Sequence, residues 1–477
     1  MVGGVCGHLN RMTNYELRIS TAEIHCGSTS NKTANLKLLT ANCQLMNDQL
    51  TKEQISRGLE PLSGNGDSKL LTYLNSCVHC GLCAESCLFY LPTKDPRLTP
   101  ARKVDLISSI YKRYYTFSGK YLPALTHART LDKAAADEMV DLFFGSCSIC
   151  GRCTMHCSIG VDIAYLVSVG RKMLANMNLV PATLQSTVNA AIETGNNMAI
   201  PTADYLDTLK WMEEEMSDEV SDPEACIPVD QPGKRILYTL NPREPKFYPL
   251  SIAAMAKIFY AAGESWTLST RMYDVTNYAF FSGNMEEASL IADRLWQEMK
   301  HLDAGSLVLG ECGHGTRAFR WESPNYLERG FPFPVMSSVE CIANYIREGK
   351  IRLDPEKITA KVTMHDPCNL VRSGGVIREQ RFILNQFVRN FIEMTPSGTD
   401  NHCCGGGGGL LSMSEYNERR LGAGGIKAEQ IRQTGAKIVV TPCHNCVDQL
   451  IQLNTYYKLG VQIQTMAEIV ADALIVR

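Results

Sequence analysis

From about residue 234 onward, short apolar runs rich in β-branched residues alternate with longer stretches of helical character. The short runs are Arg235–Leu240, Ser306–Leu309, Lys361–Met364 and Lys437–Val440. Runs of that length predict strands, and strands alternating with helices predict α/β layers. Before residue 234 the pattern is helical: residues 69–180 and 183–218 carry it, and the second stretch runs into the acidic segment EEEMSDEVSDPE. LSGNGDS at 62–68 reads as a turn-rich linker. Residues 1–45 show no amphipathic period, and MNDQLTKEQISRGLEPL, opening at Met46, reads as a natural start. The first 45 residues are therefore expected to be a disordered extension or to precede the native start.

The two α/β stretches look like copies of each other. ILYTLNPR (236–243) parallels KVTMHDPC (361–368), FSGN (281–284) parallels CCGG (403–406), and SLVLGECGHG (306–315) parallels KIVVTPCHNC (437–446). Self-similarity at this scale predicts two repeated structural units. The expected organisation is an N-terminal extension at 1–68, a helical domain at 69–180, a helical linker at 181–233, and α/β units at 234–350 and 351–477.

Composition sharpens this. The chain has 477 residues with a formal net charge of −3, which gives no overall electrostatic case for nucleic acid, and none is expected as a partner. The N-terminus has no continuous apolar core, so it is not a secretory signal. The best apolar run, Leu250 to Ala262, is interrupted by Lys257 and is too short to span a bilayer. A cytoplasmic protein with reduced thiols is expected. Its 19 cysteines are then the anomaly, because a chain of this size needs no disulfides to compensate for a thin core. Clustered cysteines in such a chain point to metal or redox chemistry.

Two runs share one spacing: Cys77, Cys80, Cys83 and Cys87, then Cys147, Cys150, Cys153 and Cys157. The C-x2-C-x2-C-x3-C pattern is that of bacterial ferredoxins, where three close thiolates wrap one face of an iron–sulfur cube and the fourth ligates the other cluster. The expected sets are Cys77, Cys80, Cys83 and Cys157 for one [4Fe–4S] cubane, and Cys87, Cys147, Cys150 and Cys153 for the other. Gly81 and Gly151 follow the second cysteine of each run and give the backbone room. Zinc needs only four thiolates and rarely uses triple-plus-one spacing twice, so iron–sulfur is favoured. Proline usually follows the fourth cysteine, but Leu88 and Ser158 stand there. With the long separation between runs, this resembles the helical ferredoxin module of respiratory iron–sulfur subunits.

A third pattern comprises Cys368, Cys403, Cys404, Cys443 and Cys446, within HDPC, HCCGGGGG and PCHNC. It resembles the CCG domain of heterodisulfide reductases, in which five cysteines hold a non-cubane [4Fe–4S] cluster. Two ferredoxin runs followed by CCG units resemble the D subunit of membrane-bound heterodisulfide reductase and the K subunit of the sulfite-reduction-associated membrane complex. The resemblance covers about residues 70–477. It implies an α+β multidomain chain, with a helical ferredoxin-type domain followed by two α/β CCG-like units. Gly405, Gly406 and Gly407 lie directly against two of the cysteines and are expected to let backbone approach the cluster; no Gly-Lys-Ser/Thr follows, which excludes a P-loop.

In the first copy, Arg243 stands where Cys368 does, Phe281 and Ser282 where Cys403 and Cys404 do, and Gly315 where Cys446 does. Only Cys312 matches a cysteine, Cys443. No cluster is expected there. Cys312 reads either as a thiol or additional ligand beside the other copy's cluster, carried with Cys368, Cys403, Cys404, Cys443 and Cys446 as a candidate catalytic group, or as a small buried residue. His365, His402, His444 and His314 lie near these cysteines and read as proton sources or as plain hydrogen-bond partners, His402 being carried as a candidate catalytic group. Cys6, Cys26, Cys43, Cys226 and Cys341 lack partner spacing and are expected to be non-ligands. Arg97, Arg102, Lys103, Lys112 and Arg113 read as a solvated helix face, with partner docking as the alternative.

The resemblance implies an oxidoreductase acting on sulfur groups at the cytoplasmic face of a membrane. A cytochrome b-type or quinone-reactive membrane subunit and a thiol or disulfide substrate are its implied partners. The alternative is the iron–sulfur subunit of a glycolate- or lactate-oxidase-type complex with a flavoprotein partner. An intact mass of the native protein that includes residues 1–45 would exclude a later start.

Overall fold

Helix Ile163–Asn176 organises the N-terminal half of the structure. Asp162 caps it by accepting from the Tyr165 N–H, and its buried face carries Ile163, Leu166, Val167, Met173 and Leu174. It packs on helix Pro100–Tyr115, which starts with Thr99 as N-cap and Pro100 in the first turn. Between Ser68 and Val220 the described chain is helical and contains no strand. The computed structural model describes residues 49–63, 68–327 and 333–476. The expectations for residues 1–45, including Cys6, Cys26 and Cys43, lie outside them.

Two four-stranded sheets follow. The first is built from β1 (Ile236–Thr239), β2 (Trp266–Thr267), β3 (Ser306–Leu309) and β4 (Val335–Ser337). The second is built from β5 (Val362–Met364), β6 (Phe391–Glu393), β7 (Ile438–Val440) and β8 (Gln462–Gln464). Their orders are β2-β1-β3-β4 and β6-β5-β7-β8, the same arrangement twice, and every pairing is parallel. The segments matched in the sequence are the two central strands of each sheet, which are largely buried. The four edge strands did not register in the sequence. They are two or three residues long, and several, such as Gln462–Gln464, carry no apolar run. A continuous core joins the sheets, with helix Leu250–Ala261 from the first half packed on helix Met466–Ala473 from the second.

The helical stretch at 183–218 is two helices, Ala182–Thr194 and Thr202–Val220, broken after Gly195, whose φ is +82°. Helix Lys133–Val140 loosens into a π turn at Asp141–Gly145, which delivers the chain to Cys147.

One side chain ties these parts together. Arg171, fully buried, donates from Nε and Nη2 to Phe143 O (3.1 and 2.8 Å) and from Nη2 to Cys147 O (2.8 Å). Its Nη1 donates to Phe281 O (2.5 Å) and Gly408 O (2.7 Å). Gly283 sits against the same turn of helix: its φ is +92°, and a Cβ there would lie 2.5 Å from Arg171 carbonyl carbon.

Arg171→Met strands four buried carbonyls and is expected to cost at least ~3 kcal/mol, read as the denaturant midpoint of the anaerobically purified protein. Arg171→Lys, with a charge but no fork, recovers only part of it.

Candidate metal centres

The two ferredoxin-type runs adopt one backbone conformation. The residues on either side of the second cysteine take positive φ in both: His79 (+55°) and Gly81 (+81°), then Ile149 (+51°) and Gly151 (+73°). A β-branched residue in that region is a strained choice, held only where the surroundings impose it. The turns aim backbone N–H groups at sulfur: Ile149 N donates to Cys147 Sγ (3.4 Å) and Val161 N to Cys157 Sγ (3.3 Å).

Cys77, Cys80, Cys83 and Cys157 line one small cavity, and Cys87, Cys147, Cys150 and Cys153 line another. The fourth cysteine of each run thus sits with the other run. The first cavity is at the surface, with Cys80 exposed and Val78, Leu82, Met155 and Ile159 forming an exposed apolar rim. The second lies deeper and is also lined by Lys103.

The five remaining thiols meet in a third cavity, together with Gly313, His314, Gly407 and Asn445. Cys368 follows β5 and Cys443 follows β7, so both stand at the carboxyl ends of the two central strands, where chain direction diverges and a parallel sheet opens a crevice. Cys368 Sγ lies 3.8 Å from Cys403 Sγ, and Cys404 Sγ lies 3.5 Å from Cys446 Sγ. None of the five is more than 7% exposed. The second and third cavities adjoin: Ser148 Oγ is 3.5 Å from Cys403 Sγ, and the Cys150 and Cys403 thiols are within hydrogen-bonding reach.

The glycine run has two jobs here. Gly405 N donates to Cys403 Sγ (3.4 Å). Gly407 and Gly408 lie flat on the second ferredoxin run, where Cβ atoms would approach Ser148 backbone to 3.2 and 2.9 Å. The first sheet's loops close the other side. Gly313 N donates to Cys443 Sγ (3.3 Å), and Asn241 Nδ2 and Gly315 N donate to Cys312 Sγ (3.5 and 3.4 Å). At Gly315, opposite Cys446 in the repeat, a Cβ would lie 2.3 Å from Val275 O, so no side chain fits. Arg243, which stands for Cys368, instead pairs with Asp448 and donates to Asn445 Oδ1 (3.1 Å).

The histidines divide by environment. Burial pushes His314 and His402 down to about 3, and pushes His365 well below its ordinary value. Burial works against the charge on His444 too, but Glu244 and Glu311 raise it to about 9. Glu311 itself, pushed up to about 8 by burial, accepts from Met466 N (2.8 Å) and Ala467 N (3.3 Å) at the start of the last helix.

Three buried cations were not legible as site residues. Lys103 is not on a solvated face: it is buried beside the second cavity and donates to Leu98 O (3.3 Å). Arg171 is lowered to about 10 by burial, and Lys427 to about 8. None forms a carboxylate pair among the described residues. Cations buried without carboxylates beside sets of thiols, with N–H groups aimed at sulfur, fit groups of net negative charge bound by thiolates. Cys226 is exposed and Cys341 is buried in the core, both apart from the three cavities. Arg102 pairs with Glu138.

Comparison with known proteins agrees with this geometry. Residues 73–161 match the 4Fe-4S dicluster domain, and residues 362–451 match the Cysteine-rich domain. The chain therefore carries [4Fe–4S] clusters, a cysteine-rich-domain cluster among them. It is 27% identical to the Hdr-like menaquinol oxidoreductase iron-sulfur subunit 2 of Archaeoglobus fulgidus, over 87% of this chain and 82% of that one. It is 24% identical to the D subunit of the dihydromethanophenazine:CoB–CoM heterodisulfide reductase of Methanosarcina mazei (85% and 95%). It is also 24% identical to the EtfAB:quinone oxidoreductase of Syntrophomonas wolfei (82% and 57%). The relatives are named as subunits of Hdr-like and heterodisulfide reductase complexes or as a quinone oxidoreductase, and the chain is similar to them along most of its length. No helix among the described residues is long and apolar enough to cross a membrane.

Gly408→Ala combines a φ of +65° with contacts of 2.9–3.0 Å to Ser148. It is expected to destabilise the protein by ~2 kcal/mol or more in denaturant unfolding, whereas Gly422→Ala, within helix Asn417–Ala423 where a Cβ meets nothing, leaves the midpoint no lower and raises it slightly.

Proposed function

We propose that this chain is the iron–sulfur subunit of a membrane-associated heterodisulfide-reductase-like complex, in which a disulfide or trisulfide is cleaved to thiols, or formed, at the five-cysteine site. The observation that carries the reading is the graded burial of three adjoining thiol sets, from exposed Cys80 to the enclosed Cys403–Cys404 pair. Cys77, Cys80, Cys83 and Cys157 would hold one cubane, Cys87, Cys147, Cys150 and Cys153 the second, and Cys368, Cys403, Cys404, Cys443 and Cys446 a non-cubane cluster. When bound, these groups supply one-electron storage and, at the last site, iron with affinity for a released sulfur.

The protein's own residues supply the rest. Disulfide cleavage consumes two electrons and two protons and yields two thiols; full cleavage of a trisulfide consumes twice as many of each and releases the central sulfur as hydrogen sulfide besides the two thiols. The buried charges of Lys103, Arg171 and Lys427 favour added electrons in a low-dielectric setting. Burial disfavours the charged form of His402, which suits it to a hydrogen-bonding role beside Cys403. The enclosure of the five cysteines selects a small substrate, or one that displaces a covering loop. The apolar rim of Val78, Leu82, Met155 and Ile159 is the face for an electron-transfer partner. That partner is a cytochrome b-type or quinone-reactive membrane subunit, which places the chain at the cytoplasmic face.

One observation favours a second reading. The five-cysteine site is enclosed, and one relative is named an EtfAB:quinone oxidoreductase. On that reading the third site only conducts electrons between a flavoprotein and a quinone-reactive partner.

Low-temperature paramagnetic resonance on the anaerobically purified protein tests the proposal. Two cubane signals are expected, with a third that responds to added disulfide. Cys404→Ser should abolish the third signal and spare the others, and Cys157→Ser should alter only the exposed cubane. Two cubanes with no further signal after thiol treatment would sink the proposal. A third signal indifferent to every disulfide would favour the conducting role.

A further inference from the structure

Beside the five thiols lies a buried chain of three polar side chains whose donors and acceptors can be assigned from geometry alone. Lys427 Nζ lies 2.6 Å from Asn401 Oδ1. An ammonium only donates, so the amide oxygen of Asn401 must face it. The amide nitrogen then faces the other way, toward Asp366 O (2.7 Å) and His365 Nδ1 (3.3 Å). An amide nitrogen also only donates, so His365 Nδ1 presents its lone pair. A ring whose Nδ1 accepts carries its proton on Nε2.

That Nε2 has no partner in the protein, although His365 is fully buried. Burying an N–H without an acceptor costs enough that native structures rarely do so. The ring is not aimed at empty core. A ring nitrogen of His365 and the Sγ atoms of Cys404 and Cys446 lie within 4.8 Å of one another. The strand that carries it is pinned, since His365 N donates to Val440 O (2.9 Å).

We infer that His365 is a positioning residue for the third cluster: its Nε2–H donates to sulfur of the group bound at Cys404 and Cys446, and Lys427 and Asn401 fix the tautomer that makes this possible. The inference rests on the reading that these cysteines hold a cluster. It assigns His365 a ligand-facing proton and excludes it as an iron ligand, because coordination through Nε2 would demand the opposite tautomer. A donor to cluster sulfur offsets the negative charge added on reduction, so it raises the reduction potential of that site without touching substrate.

Two substitutions separate this role from packing. His365→Gln places an amide N–H near the Nε2 position. His365→Asn reaches only as far as Nδ1, keeping the Asn401 contact while leaving the cluster without its donor. The full chain is purified anaerobically with 15N-labelled histidine, and three quantities are read: iron per chain, the midpoint potential of the third signal, and its hyperfine couplings. The expected result is a weak histidine coupling and an exchangeable proton coupling in the native protein. His365→Asn should lose the proton coupling and move to a more negative potential, with iron content unchanged, while His365→Gln should lose the histidine coupling but keep the proton coupling, the potential and the iron content close to native. A strong coupling of directly bound nitrogen, or a His365→Asn protein with native potential and proton coupling, overturns the inference and leaves the cluster standing. Absence of any third signal in the native protein overturns both the inference and the cluster assignment beneath it. If His365→Asn fails to assemble, the His365→Gln protein decides alone: loss of the exchangeable proton coupling there overturns the inference, and its retention upholds it.

Discussion

The buried guanidinium of Arg171 is the tie on which the mutual placement of the thiol sites depends. It grips the Cys147 carbonyl in the second ferredoxin run, the Gly408 carbonyl in the loop that follows Cys403 and Cys404, and the Phe281 carbonyl in the first α/β half. Three segments far apart in sequence are thereby fixed to one planar, five-donor group. A fork of this kind specifies direction as well as distance, which a lysine at the same place would not. The charge remains, because carbonyls solvate a cation without neutralising it. Arg171, Lys103 and Lys427 all sit buried beside thiol sets without a carboxylate partner among the described residues. Hydrogen bonds to carbonyl and amide oxygens offset part of their desolvation, and an anionic group in the sites would offset more. Cluster loading is therefore a contribution to folding here and not an addition to a finished scaffold.

Much of this was legible in the cysteines and little in the residues that serve them. The ferredoxin spacings name their groups because thiolate geometry dictates sequence spacing, whereas the five-cysteine pattern was legible through its resemblance to the CCG domain. The repeat was visible through the central strands, whose burial forces apolar residues. The edge strands were not, because two or three residues, several of them half-exposed, are too few to leave a hydrophobic signature. Lys103, Arg171 and Lys427 were illegible for a different reason. A lone basic residue in a helical pattern is normally a solvated one, and only tertiary structure shows that its charge points inward. The same holds for Asn401 and His365, whose meaning lies in which atom faces which.

The glycines were legible but for an incomplete reason. A run of five beside two cysteines suggested room for sulfide, and Gly405 does direct its N–H at Cys403 Sγ. Gly407 and Gly408 are required by the neighbouring ferredoxin run, whose Ser148 backbone leaves no space for a Cβ. Contact between two cofactor-bearing segments is thus written into the sequence as an absence of side chains. It also keeps Cys150 and Cys403 within reach of each other, as rapid electron exchange between adjoining sites requires.

The first α/β half repeats the strand order of the second but carries Arg243, Phe281, Ser282 and Gly315 where the second carries cysteines. Its crevice is not vacant architecture. Arg243 reaches across to Asp448 and Asn445, Glu311 caps the final helix of the other half, and Gly313 donates to Cys443 sulfur. Gly315 has no space for the cysteine its twin carries. Each of these groups occupies a place that the repeat assigns to, or next to, a thiol in the other copy. Loops of the two halves meet at the carboxyl ends of the sheets, where Gly313 N donates to Cys443 Sγ and His444 N to Glu311 O (2.8 Å), so the first half's loops help to enclose the five thiols. Enclosure in turn lowers the local dielectric, which strengthens the influence of Lys427 and of every N–H directed at the five sulfurs. The ligand-poor half thus acts as the wall of the remaining site, and that role explains why the fold is retained where the ligands are not.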